Sequence, residues 1–139
     1  MSTALVDVNY ALIDGIYNAL TGNLSCPVYK SIPKTPASIY VYIHNVMHTE
    51  EGTKDDFSYE GTVQIEVVNE SNHRADRKAA QTILGDLRST LKPSKAAVFS
   101  ISPLTLTVFR HGTFNEFVEQ ADNGITRIRL IDLYNFIIE

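Results

Sequence analysis

An α+β fold is what this sequence predicts: an antiparallel β-sheet of about four strands, two helices packed on one face, and a long projecting β-hairpin. Three observations carry it. Two segments repeat their apolar residues at helical spacing, and four segments are rich in alternating β-branched and aromatic residues. Their order is helix, two strands around an acidic turn, helix, two strands. Helices gathered on one side of an antiparallel sheet form the two-layer solution to burying both kinds of apolar face.

The first helix is expected from about Asp7 to Leu20. Leu5, Val8, Leu12, Ile16 and Leu20 recur at spacings of three and four, and Ile13 and Tyr17 widen the stripe. Gly22 and Asn23 stop it, since both tolerate a left-handed cap. Ser31 to Ala37 contains Pro33 and Pro36 and reads as an extended loop. Ser38–His48 and Phe57–Asn69 alternate as strands, with Val63, Ile65 and Val67 on one face of the second. The segment between them, Thr49–Asp56, is charged and contains glycine, so the pair reads as a hairpin with an acidic tip.

The second helix is expected from about Asn72 to Leu91, capped by Ser71 or Asn72 and ended by Pro93. Ala75, Ala79, Ile83, Leu87 and Leu91 form its inward stripe with Leu84 beside them, and Arg88 is among the residues placed outside. Val98–Arg110 reads as a strand and His111–Gly124 as a polar linker. Ile125–Ile138 reads as the final strand, with a slip in alternation after Ile131 that suggests a bulge or bend. Ile83, Leu87, Val63, Ile65 and Leu130 should share one core.

The chain has 139 residues, which fits a single domain spanning 1–139. With 44% apolar and 20% charged residues, it is not expected to be disordered. The net charge of −4 is a poor match for gripping a phosphate backbone. Cys26 is the only cysteine, so no internal disulfide is expected, and it reads as a small buried hydrophobe. No basic-then-apolar leader and no membrane-length apolar run is present, so synthesis in the cytoplasm is expected.

The residues that carry chemistry form no familiar site. His44 and His48 would lie on one strand face, roughly 13 Å apart, which does not suit a metal. His73 reads as surface and His111-Gly112 as a turn. The sequence contains no phosphate-cradling glycine loop, no nucleophile elbow and no zinc-protease motif. No catalytic residue, metal ligand or cofactor is therefore expected. Glu50, Glu51, Asp55 and Asp56 crowd the hairpin tip, and Glu116, Glu119 and Asp122 crowd the later loop. Their spacing fits no calcium loop.

The order of segments does resemble one family. A striped helix precedes VYKSIPKTPASIYVYIHNV, an acidic turn leads to VQIEVVNESNHRADRKAAQTILGDLRSTL, and GITRIRLIDLYNFIIE closes the chain. This is similar to the tail-completion, or tail-terminator, proteins of tailed bacteriophages. Ala75 and Ala79 match the helix-opening spacing of that family, while the 49–56 and 114–122 segments look longer than in a minimal member. The resemblance implies a non-enzymatic ring subunit, hexameric or larger, in the tail or neck of a virion. Its partners would be further copies, adjacent ring and tail tube proteins, and double-stranded DNA passing through the lumen without specific binding. No membrane is involved. Under that reading Tyr40, Tyr42, Glu50, Glu51, Asp55, Asp56, Phe57 and Tyr59 are the candidate partner interface. Glu116, Glu119 and Asp122 are candidates for the lumen or an axial face, where acidic groups would repel DNA. Another neck or tail ring, including those of short-tailed phages, and a small ligand-binding or regulatory module are the competing readings.

Overall fold

A computed structural model describes residues 8–52, 57–71, 77–91, 101, 104–120 and 124–139. The elements run α1 (Val8–Leu20), β1 (Val28–Tyr29), β2 (Ile39–Gly52), β3 (Phe57–Ser71), α2 (Arg77–Leu91), β4 (Leu106–Gln120) and β5 (Thr126–Ile138). The sheet has five strands, not four, in the order β1-β2-β3-β5-β4. It is also mixed. β1 runs parallel to β2, pairing Val28 with Val41 and Tyr29 with Tyr42, while the other pairs are antiparallel. The extra strand returns to β2 through the proline-containing loop, where the Ala37 N–H donates to the Tyr29 hydroxyl at 3.2 Å.

Both helices lie on one face, α1 against β1 and β2, α2 against β3 and β5, and they touch each other. α1 buries Val8, Ala11, Leu12, Gly15, Ile16 and Leu20, and it ends at Gly22, whose φ of 85° is the left-handed cap that glycine allows. α2 buries Ala80, Ile83, Leu84, Leu87 and Leu91, so its close-packing alanine is Ala80, while Ala79 is half-buried. Ala75 and Asn72 lie outside the described residues, and Ser71, the other cap expected, is the last residue of β3. Ile83, Leu87, Val63, Ile65 and Leu130 belong to one continuous core together with Leu12, Ile16, Val41 and Ile43.

β2 and β3 pair from Ile39 opposite Asn69 to Gly52 opposite Phe57, so β2 runs past His48 to Gly52. β3 is flanked on its other side by β5 from Tyr59 to Ser71. The β3 arm of the hairpin thus has a strand on both sides from Tyr59 to Asn69, while the β2 arm has one only at Val41 and Tyr42, and residues 53–56 of the tip lie outside the described residues. A bulge interrupts β2 between His44 and Met47, with Asn45 at φ 55°. Opposite it, a Cβ on Gly61 would run into the Met47 carbonyl oxygen and the His48 backbone.

Further expectations are corrected. Much of the expected linker is strand, because β4 continues to Gln120, and the expected turn at His111-Gly112 is a bulge within it. Of the strand expected from Val98, β4 begins at Leu106, and 98–100 and 102–103 lie outside the described residues. β5 has no break after Ile131: it pairs with β3 in unbroken register, and Thr126, Ile128, Leu130, Asp132, Tyr134, Phe136 and Ile138 are all buried. The alternation slips in sequence because an inward position holds an aspartate.

Candidate functional site

Three features stand out once the fold is in place: a buried polar cluster under α2, a charge ladder on the face without helices, and two free sheet edges.

Asp132 is 0% exposed among the core residues of β5. Arg88 of α2 donates to it from Nε to Oδ2 at 2.8 Å and from Nη2 to Oδ1 at 2.7 Å. The Tyr134 hydroxyl donates to Oδ2 at 2.7 Å, and His111 Nε2 of β4 lies 2.9 Å from Oδ1. Burial alone would raise the carboxyl, but the hydrogen bonds from Arg88, Tyr134 and His111 outweigh it and hold Asp132 below the ordinary carboxylate range. Burial, reinforced by the neighbouring carboxylate, pushes the Tyr134 phenol far up, so it stays protonated and donates. A groove of about 460 Å³ between α2 and β4 adjoins this cluster, lined by Gln81, Leu84, Gly85, Arg88, His111 and Phe114. Arg88 is therefore not an outward decoration of α2; it is the partner that lets an acid sit in the core.

On the far face, ion pairs step across the strands. Arg127 of β5 meets Glu70 of β3 at 2.9 Å and Glu119 of β4 at 3.6 Å, and Arg129 meets Glu66 of β3 at 2.9 Å and Glu119 at 3.1 Å. Glu66 is 4% exposed, so its pairing with Arg129 is much better shielded from water than the others. His44 lies 3.5 Å from Glu66 and stacks on Tyr42 with 4.4 Å between centroids. Burial lowers the His44 pKa, against the pull of Glu66 and with the help of Arg129, so the ring is neutral near pH 7.

The edges differ in length. β1 covers β2 only at Val41 and Tyr42, which leaves the outer side of residues 43–52 unpaired among the described residues. Among the described residues β4 pairs only with β5, and residues 110–120 are exposed. Phe114, Phe117 and Val118 are 43%, 48% and 51% exposed on this strand.

The residues singled out from sequence do not gather into one site. Tyr40 is buried and packs on Tyr29, with centroids 5.2 Å apart. Tyr42 is half-buried on the far face against His44, and Tyr59 is half-buried on the other face against the ring of His48. Glu50, Glu51 and Phe57 occupy the outer end of the β2–β3 pair, while Asp55 and Asp56 lie outside the described residues. Glu116 and Glu119 do not crowd together. Glu116 sits opposite Leu130 and pairs with Arg77 at 2.7 Å, whereas Glu119 sits opposite Arg127 on the other face. Asp122 lies outside the described residues. His44 and His48 are also separated, since the bulge between them turns the two side chains to opposite faces. Cys26 is half-buried, and burial pushes its thiol up to about 11, away from thiolate chemistry. Among the described residues, no group of three His, Cys, Asp or Glu is placed to hold a metal ion. None of the described helices is long and apolar enough to cross a membrane.

The molecule belongs in class to the two-layer α+β domains, with a five-stranded mixed sheet under two helices. The sequence matches no protein-family model and no curated protein. The fold, however, is similar to that of a chain in the solved virion of a native gene transfer agent (GTA) particle, with a TM-score of 0.65 and 16% identity. The likeness covers 97% of this chain and 98% of that one.

Proposed function

We propose that this protein is a non-enzymatic structural subunit of a phage-like virion, forming the tail-terminator ring that joins the tail tube to the neck and lets DNA pass. The observation that carries the reading is the near end-to-end likeness in fold to a chain of a gene transfer agent virion. It meets the resemblance of the sequence to tail-terminator proteins independently. The polar clusters fit a structural role as well. Asp132, Arg88, His111 and Tyr134 satisfy one another inside the domain, as do Glu66 and Arg129. The outer end of the β2–β3 hairpin, with Glu50, Glu51, Asp55 and Asp56, reaches toward an adjacent ring, and the end of β4 lies toward the lumen.

Purified particles from cells that make this protein should contain it in stoichiometric rings at the top of the tail, located in an electron-density map. Deleting its gene should leave heads and tails that do not join. Finding the chain in another neck or tail ring would move its position, and its absence from particles would overturn the role. Reversing Glu50, Glu51, Asp55 and Asp56 to Lys together should block head-to-tail joining while leaving rings intact.

A further inference from the structure

We infer that the groove between α2 and β4 is a docking site for a peptide segment of another virion protein, one that sets a carboxylate on Arg88 and an apolar side chain over Gly85. That the partner belongs to a virion rests on the role proposed above; the groove and its chemistry do not.

The first ground is an unfinished pairing. A guanidinium carries five N–H donors. Arg88 gives Asp132 one from Nε and one from Nη2, and its Nη1 makes no hydrogen bond among the described residues. The two arginines of β5 are each shared between two carboxylates, Arg127 between Glu70 and Glu119, Arg129 between Glu66 and Glu119. Among the described residues Arg88 has one carboxylate, although its side chain is 40% exposed and lines a groove of about 460 Å³. Asp132 holds the guanidinium from behind, so a second carboxylate meets donors that are already fixed in place.

The second ground is Gly85. Glycine weakens the interior of a helix, and Gly85 stands in the middle of α2. Other glycines have a reason within the domain: Gly22 takes a positive φ, and a Cβ on Gly61 or Gly112 would run into its neighbours. A Cβ on Gly85 meets nothing within 4 Å. The space it leaves open lies in the groove, beside Arg88, His111 and Phe114. A close approach from outside the chain accounts for the missing side chain.

The third ground is the shape and sign of the groove. Arg77, Gln81, Gly85 and Arg88 follow one another at spacings of four, four and three, so they form one stripe of α2. Arg77 crosses to Glu116 of β4 at 2.7 Å and closes one end. From Gln81 to Arg88 the helix rises about 10 Å, room for about three residues of extended chain. Leu84 is buried beneath this stretch, and Phe114, 43% exposed, sets its ring 5.5 Å from the Arg88 guanidinium. The groove therefore asks for an apolar side chain with an acid beside it. This chain's own loop would bring the exposed Ile32 between Lys30 and Lys34, the wrong sign for Arg88.

The test uses the full chain with phenylacetate as the probe, a carboxylate on one apolar ring. Titration should shift the amide resonances of Gly85 and Arg88 and the Arg88 Nε resonance, saturating in the millimolar range. Phenylacetamide, which is neutral, should bind about threefold more weakly. Gly85→Ala should raise the thermal midpoint. Gly85→Glu should raise it too and abolish the shifts, because it supplies the second carboxylate three residues before Arg88. Gly85→Leu, which fills the same space without charge, serves if Gly85→Glu fails to fold by circular dichroism. The groove assignment is overturned if phenylacetate does not bind, if phenylacetamide binds as well, if a folded groove-filling variant still takes the probe, or if Gly85→Ala lowers the midpoint. A photo-crosslinking residue at position 81, in cells that assemble particles, then identifies the occupant. The expected product is a segment of another virion protein with Asp or Glu beside an apolar residue. No product, a second copy of this chain, or a segment without an acid overturns the docking assignment. An acidic segment of a protein absent from virions overturns the role proposed above and leaves the groove standing.

Discussion

Both carboxylate oxygens of Asp132 are gripped by the guanidinium of Arg88, at 2.8 and 2.7 Å, across 44 residues of sequence. The pair ties α2 to the middle of β5 at a point where every neighbouring inward residue of β5 is apolar or aromatic. Removing Arg88 alone strands a buried charge, whereas removing both leaves only the neutral Tyr134 hydroxyl without its acceptor.

Arg88→Ala is therefore expected to destabilise the fold by about 3 kcal/mol, the low end of the range for a broken buried pair, because the Arg88 side chain is 40% exposed. Arg88→Met combined with Asp132→Leu should recover part of that loss, the remainder reflecting the Tyr134 hydroxyl left without its acceptor. Urea denaturation of Arg88→Met, Asp132→Leu and the double variant checks the coupling.

The same pair sets an acid limb. The folded Asp132 pKa lies below its ordinary value, so the native state holds its proton less tightly than the unfolded chain does. The stabilisation is complete above the unfolded value of about 3.9 and is lost as pH falls through the depressed folded value. Asp132→Asn should be less stable at pH 7 and should show a shallower loss of stability on acidification. Denaturation midpoints across the acid range provide the measurement.

Two arginines on the far face should behave differently. Glu66 is 4% exposed, so Arg129→Ala should cost about 2–3 kcal/mol and change little with added salt. Arg127 and Glu70 have side chains 45% and 27% exposed, so Arg127→Ala should cost under about 1 kcal/mol, and the cost should shrink in salt. Stability curves at low and high ionic strength separate them.

Gly61→Ala should destabilise by about 1–3 kcal/mol, since its Cβ would meet the Met47 carbonyl and the ladder must shift to admit it. At Asn45, φ is 55°; Gly should be tolerated there and Val should not. Thermal midpoints of the three variants check both statements.

Leu87→Ala should cost about 2–5 kcal/mol, because Leu87 is fully buried between α2 and the sheet. A denaturation series checks that α2 faces inward along Ile83, Leu87 and Leu91.

The helices and the central strands were legible because their apolar residues repeat at the period of the element: Leu12, Ile16 and Leu20 in one case, Val63, Ile65 and Val67 in the other. Legibility failed where burial did not follow that rule. β1 is two residues long, too short to show any period. The end of β4 is exposed on both faces, so Asn115, Glu116 and Glu119 read as linker although their backbone is strand. Asp132 broke the pattern of β5 and imitated a bulge, while the real bulge at Asn45 and Val46 left no mark and turned His44 away from His48. Nothing local tells that β5 lies between β3 and β4, and the free edges depend on that order. The cluster joining Arg88, His111, Asp132 and Tyr134 was invisible for the same reason.

That order also dictates a timetable. β5 follows β4 in the chain, yet among the described residues it is the only strand through which β4 joins the sheet. Until Thr126–Ile138 is made and inserted, β3 presents a bare flank and β4 has no strand to pair with among the described residues. The nascent protein passes through a stage with more open strand than the finished one, and the last insertion must satisfy two ladders at once. Pairings of such long sequence separation form slowly. A chain halted before β5 would be a sticky fragment, recognised by chaperones or lost to aggregation, rather than a smaller working domain.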